Sequence, residues 1–141
     1  MIEKKIIKQH IPENGIVSDL NNYLYEEKDS DGKVKIENIE LLEDTLKEVG
    51  YIKKILIGSS SLITKVNKPK IYDQLVIERR ICKAPALTDT DWYILKLAKI
   101  YNYDILSNDK FKDYWEEFGK DWIMEKRKTF MLLEGKLIIK L

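Results

Sequence analysis

The chain has 141 residues, 35% of them charged, yet 25 Lys and Arg nearly cancel 24 Asp and Glu to leave a formal charge of +1. That length suits one domain, residues 1–141, with a core that needs no disulfide or metal staple. The balance excludes a uniformly basic nucleic-acid binder, so any basic surface must be local. A lone cysteine, Cys82, and a lone histidine, His10, leave no internal disulfide, no Cys/His zinc cluster and no Ser-His-Asp chemistry. No stretch approaches the roughly 20 apolar residues of a membrane span, and the opening MIEKKIIKQHIPENG is too polar for a signal peptide. A soluble, cytoplasmic protein in a reducing compartment is therefore expected.

After Pro12 and Gly15, Ile16-Val17-Ser18-Asp19-Leu20 reads as the first strand, and Asn21 and Asn22 as a tight polar turn. The charged stretch from Glu26 to Gly32 reads as a solvated loop. Ile36, Ile39, Leu42, Leu46 and Val49 recur every three or four residues before Gly50, which predicts an amphipathic helix. Lys54-Ile55-Leu56-Ile57-Gly58 is a continuous apolar strand of the kind found in parallel sheets, followed by Ser59, Ser60 and Ser61. A second helix is expected from about Ile71 to Arg80 after Pro69, then a short strand near Ile81 to Ala86 whose proline points to a sheet edge.

Thr88 is a candidate N-cap for a helix with Asp89 and Asp91 in its first turn. Tyr103-Asp104-Ile105-Leu106-Ser107 follows as a strand, with Asn108 and Asp109 leading into a helix that includes Phe111, Tyr114 and Trp115. Residues 129–133 and 137–139, joined through Glu134 and Gly135, make a closing hairpin. This alternation predicts an α/β fold: a three-layer α/β/α sandwich with a mostly parallel central sheet and a C-terminal hairpin.

Open sheets of this kind place their sites at the carboxyl ends of strands, which brings Asp19 and Asp109 to one edge with Asp91 and Asp89 at a nearby helix start. Several carboxylates at one place suit magnesium or manganese, which prefers oxygen ligands and retains water. Asp19 is expected as the central ligand, completed by Asp91 and Asp109. Each acid also has a structural role open to it: Asp19 can end a strand, Asp89 and Asp91 can face a helix dipole, and Asp109 can cap its own helix.

At these residues the chain resembles the PIN-like nucleases, specifically the NYN-type ribonuclease domain of the Regnase group of CCCH-zinc-finger RNases. The likeness rests on Ile16-Val17-Ser18-Asp19-Leu20-Asn21-Asn22, on the segment from Asp91 to Ala98, and on the segment from Asp104 to Asp113. The resemblance implies a PIN-like fold and an endoribonuclease that cleaves single-stranded or loop RNA with magnesium or manganese. It places the first-strand Asp on Asp19, its accompanying Asn on Asn22, the helix-start Asp on Asp91, the strand-end Asp on Asp109 and a further acid on Asp113. The chain departs from the family where Leu20 replaces a usual Gly, where Thr90 separates Asp89 from Asp91, and in having no zinc finger.

An RNase needs cations for phosphates and, on single strands, aromatic faces for bases. Lys65, Lys68 and Lys70, then Arg79, Arg80 and Lys83, flank strand ends, and Lys110 and Lys112 adjoin Asp109. Each could border the acidic cleft or simply be solvated. Ser59 and Ser60 could donate to phosphate. Tyr23 and Tyr25 are candidate stacking residues, while Trp92, Tyr93, Trp115, Trp122 and Cys82 read as core. A homodimer is possible on this sequence. Two other functions remain open: a non-catalytic RNA-binding or protein-interaction module that keeps the fold, and a phosphohydrolase of small phosphates.

Overall fold

The computed structural model describes residues 15–141, so His10 and Pro12 lie outside the described residues. Among the described residues six strands form one sheet in the order β3-β2-β1-β4-β5-β6, parallel except for the final hairpin. They are β1 (Ile16–Asp19), β2 (Lys54–Gly58), β3 (Cys82–Lys83), β4 (Asp104–Leu106), β5 (Arg127–Leu133) and β6 (Lys136–Lys140). Five α-helices connect them: α1 (Leu20–Leu24), α2 (Glu37–Glu48), α3 (Pro69–Ile77), α4 (Thr90–Tyr101) and α5 (Lys120–Lys126).

Strand alternation assigns the two cores. Ile16, Leu56 and Leu106 point to one face, where α1, α2 and α3 bury Leu20, Tyr23, Ile39, Leu42, Leu46 and Tyr72. Val17, Ile57 and Ile105 point to the other, where α4 contributes Ile94, Leu95 and Ala98, and the C-terminal helical segment contributes Phe118 and Ile123. The sandwich is thus α/β/α, with a mostly parallel sheet as its middle layer. Among the described residues no helix is long and apolar enough to cross a membrane.

The expected α2 forms with acids in its first turn, Lys47 in its last and Gly50 just beyond it at φ 106°, a backbone angle that favours glycine. β2 covers the expected residues, and β3 is the short edge strand anticipated. Other boundaries differ. Leu20 leaves β1 and begins α1, so Asn21 and Asn22 lie in a helical turn. Asp89, not Thr88, caps α4 by accepting from the Asp91 N–H at 3.0 Å. β4 ends at Leu106, and the helix expected after Asp109 is a 3₁₀ turn (Lys112–Tyr114), a π-helical turn (Trp115–Gly119) and then α5. β5 starts at Arg127 because its first residues pair in parallel with β4 before the hairpin forms.

Candidate metal centre and nucleic-acid cleft

β1 leads to β2 on one side, whereas β4 returns to its other side, so the strand order reverses between β1 and β4. A crevice outside the carboxyl ends of those strands follows from the topology. Asp19 closes β1, and Ser107, Asn108 and Asp109 leave β4 beside it. Alternation from Val17 and Ile105 aims Asp19 and Ser107 at the same face, the one covered by α4. The first turn of α4 brings Asp91 there.

Asp19 is 4% exposed and firmly held. One carboxylate oxygen accepts from the Asn22 N–H at 3.2 Å, which caps α1, and the other accepts from the Ser107 hydroxyl at 2.9 Å. Ser107 Oγ also accepts from the Asp109 N–H at 3.1 Å, so one hydroxyl links both acids. Asp109 in turn accepts from the Phe111 N–H at 2.8 Å, turning the chain through Phe111 at φ 54°. Leu20, the departure from the expected glycine, needs no special backbone angle because it is a buried helical residue.

Asn22 does not only accompany Asp19: its side-chain oxygen accepts from the Asn108 N–H at 2.9 Å and fixes the two strand ends to each other. Asn108 then pairs with both backbone groups of Phe130 at 3.0 Å, while Asn21 pairs with the backbone N–H and hydroxyl of Ser59 at 2.9 and 2.8 Å. Sequence reasoning missed the structural roles of Ser107, Asn108 and Asn21. The readable signal was short polar side chains directly after apolar runs, which bond backbone where a ladder ends.

Asp91 is held differently. Its carboxylate has no hydrogen bond among the described residues, and it lines an open cleft of about 300 Å³ with Asp109, Asp113, Lys110, Lys112 and Tyr114. Burial, followed by the charges of Asp19, Asp109, Asp89 and Asp113, pushes its pKa to about 7. Burial also raises Asp19 to about 6, against the lowering effect of the Asn22 and Ser107 bonds and with a smaller contribution from Asp109. Asp89 sits on the periphery, exposed, accepting from the Tyr114 hydroxyl as well as capping α4.

An all-oxygen donor set with uncompensated negative charge fits a hard divalent cation. Among the described residues no three carboxylates stand close enough to enclose an ion by themselves.

The predicted cations divide between the two edges. Lys110 and Lys112 line the acid cleft. Lys83 is exposed at the carboxyl end of β3, and Lys65 is exposed in the segment leaving the carboxyl end of β2. Lys68 pairs with Glu37 at 3.3 Å. Arg79 and Arg80 precede a parallel strand and so lie at the amino edge, away from the acids, where they border a separate cavity with Lys53, Lys54 and Tyr103. Tyr23 is fully buried, donating to the Asn38 carbonyl at 2.8 Å, and offers no stacking face. Tyr25 is 45% exposed, with Lys28 over its ring. Trp92, Tyr93, Trp115 and Trp122 pack against the second core as expected, with Cys82 half-buried beside them.

Sheet order, layers and the crevice define a PIN/NYN-like fold. Two solved structures of the Arabidopsis thaliana nuclear protein-only RNase P 2 (PRORP2) have this fold. One superposes with a TM-score of 0.71 at 17% identity, covering 100% of this chain and 32% of that one. The other gives 0.67 at 18% identity, covering 98% of this chain and again 32% of that one. The chain thus spans about a third of the length of those proteins. No family model matches the chain, and no curated protein sequence does.

Proposed function

We propose that this domain is a metal-dependent endoribonuclease that hydrolyses RNA phosphodiester bonds at the acid cleft, in the manner of the NYN-type domains its motifs resemble. The observation that carries the reading is the gathering of Asp19, Asp91 and Asp109 at the β1/β4 crevice, with Asp91 left unbonded amid four other acids. Such an arrangement is unfavourable without a cation, since like charges disfavour ionisation. The likeness in fold to an RNase P protein supports the same reading.

Magnesium or manganese bound there would supply an acidified water and positive charge to offset the negative charge developing on phosphate. The chain's residues do the rest. Asp19, fixed by Asn22 and Ser107, and Asp109, fixed by Ser107 and Phe111, present ligand oxygens in set directions. Asp91 supplies a carboxylate that no hydrogen bond occupies among the described residues, Asp113 extends the ring along the cleft, and Asp89 acts through the start of α4. Lys110 and Lys112 hold the flanking phosphates on the rim, with Lys65 and Lys83 further out along the same edge.

The test is cleavage of structured and unstructured RNA by purified wild type, Asp19→Asn and Asp109→Asn, with manganese, magnesium or chelator. Metal-dependent cleavage in wild type, lost in both folded variants, is expected; retained cleavage in both sinks the proposal. The second reading, a non-catalytic RNA-binding or protein-interaction module, draws on the width of the acid ring, in which no three carboxylates meet. Calorimetric titration of metal separates the two: binding that depends on Asp19 supports the nuclease, and its absence supports the module.

A further inference from the structure

The amino edge of the sheet carries a second concave surface that this chemistry does not use. It has a volume of about 410 Å³ and is bordered by Lys53, Lys54, Arg79, Arg80, Glu43 and Tyr103. Its one lining carboxylate, Glu43, is occupied by Arg80 through bonds of 3.1 and 2.6 Å. Lys53, Lys54 and Arg79 have no carboxylate partner among the described residues, so the wall keeps three uncompensated cations.

The frame around them is rigid. The Ile16 N–H donates to the Lys53 carbonyl at 3.0 Å, and the Asp104 N–H donates to the Gly15 carbonyl at 3.0 Å. The Tyr103 ring rests so close to Gly15 that a methyl there would lie 2.7 Å from it. Tyr101 stacks on Tyr103 with ring centroids 5.4 Å apart and is 52% exposed, which extends the aromatic surface from the cavity wall towards solvent. Cations next to an exposed aromatic are what single-stranded nucleic acid requires, one for phosphates and the other for a base. Inorganic phosphate or an acidic peptide would leave the ring unused.

We propose that this amino-edge cavity anchors the backbone of single-stranded RNA through Lys53, Lys54 and Arg79, with the Tyr101–Tyr103 pair as a stacking face. The inference rests on RNA being the ligand of the domain. β1 is four residues long, which separates the two edges by about 13 Å at about 3.3 Å per residue. Only an RNA that extends well beyond the cleft reaches the anchor. The anchor therefore governs affinity and KM, and leaves kcat to the acids.

Anisotropy of a labelled unstructured RNA in chelator, where no cleavage occurs, tests this with Lys53→Gln/Arg79→Gly and Tyr101→Ala. Arg79 sits at φ 62°, so glycine there removes the charge while easing the backbone. The double variant should bind about tenfold more weakly, and its log K against log salt slope should flatten by about 1.4, the loss of two single-strand phosphate contacts. Tyr101→Ala should weaken binding with the slope unchanged. Unaltered affinity and slope in the double variant overturn the proposal, as does an equal loss for an Asp/Glu-rich peptide, which would mark a protein-docking face. A wild type that binds RNA through this edge but cleaves none would end the nuclease reading and leave the anchor standing. Cleavage with unaltered binding in the double variant would do the reverse.

Discussion

The two edges of the sheet are built from the same strands and present different groups, a cluster of acids at the carboxyl-end crevice and three cations without a carboxylate partner among the described residues at the amino-edge cavity. At the carboxyl edge the chain leaves β1 and β4 through short polar side chains that bond backbone, and acids gather in the space they hold open. At the amino edge the chain enters β1 and β4 through Gly15 and Tyr103 in close contact, with cations around them. Hydrogen bonds hold both edges, from short side chains at the carboxyl one and between backbone groups at the amino one, where steric closeness is added. The difference teaches that a near-neutral sequence can hold two unlike polar surfaces, because strand direction separates residues that composition averages together.

That contrast can be broken most severely at Gly15. A methyl there would fall 2.5 Å from the Lys53 carbonyl oxygen and 2.7 Å from the Tyr103 ring, so Gly15→Ala should cost about 3 kcal/mol in denaturant unfolding. At the carboxyl edge, Ser107→Ala should cost about 2 kcal/mol, because the Asp19 carboxylate and the Asp109 N–H both lose their partner. NMR titration should also find Asp19 shifted further upward from about 6, since the Ser107 bond is one of the influences holding it down.

Asp91→Asn should act in the opposite direction. The native pKa of Asp91, about 7, lies above its unfolded value, so the folded state retains a proton that the unfolded chain releases. Stability in chelator therefore falls as pH rises from about 4 to about 7, and the variant recovers that loss. With solvent screening of a half-exposed group, the gain should be about 1 kcal/mol at pH 8 and should vanish near pH 4, by thermal unfolding at both pH values. Cleavage should fall in the same variant, an opposition of stability and activity common at functional sites. The smallest effect belongs to Arg79→Gly, within about 0.5 kcal/mol of wild type, because relief at φ 62° offsets the added freedom of the unfolded chain.

Much of the frame was legible because apolar runs and helical spacing answer directly to burial. β2, α2, the edge strand β3 and the hairpin follow from them, and strand ends then place Asp19 and Asp109. α1 was not legible, since a five-residue helix shows no periodicity and its Asn21-Asn22 pair has the composition of a turn. The segment from Lys112 to Lys126 changes hydrogen-bond register twice, which no single period describes. Tyr23 looked like a stacking residue because sequence shows its neighbours along the chain and not Phe130, whose ring it meets edge-on at 5.5 Å. Arg79 and Arg80 looked close to the acids by proximity to β3, whereas residues that enter a parallel strand lie at the edge opposite those that leave it.

The paired bonds between Asn108 and Phe130 have a mechanical consequence. They add one rung of side-chain ladder beyond the end of β4, where the backbone of Asp109 has already turned away. The loop bearing that acid is thereby moored to the C-terminal hairpin, and its stiffness is borrowed from a β-ribbon that lines no part of the cleft. Fraying of the ribbon's first strand would slacken the mooring, and the cleft would feel an event in a segment of the chain it never touches.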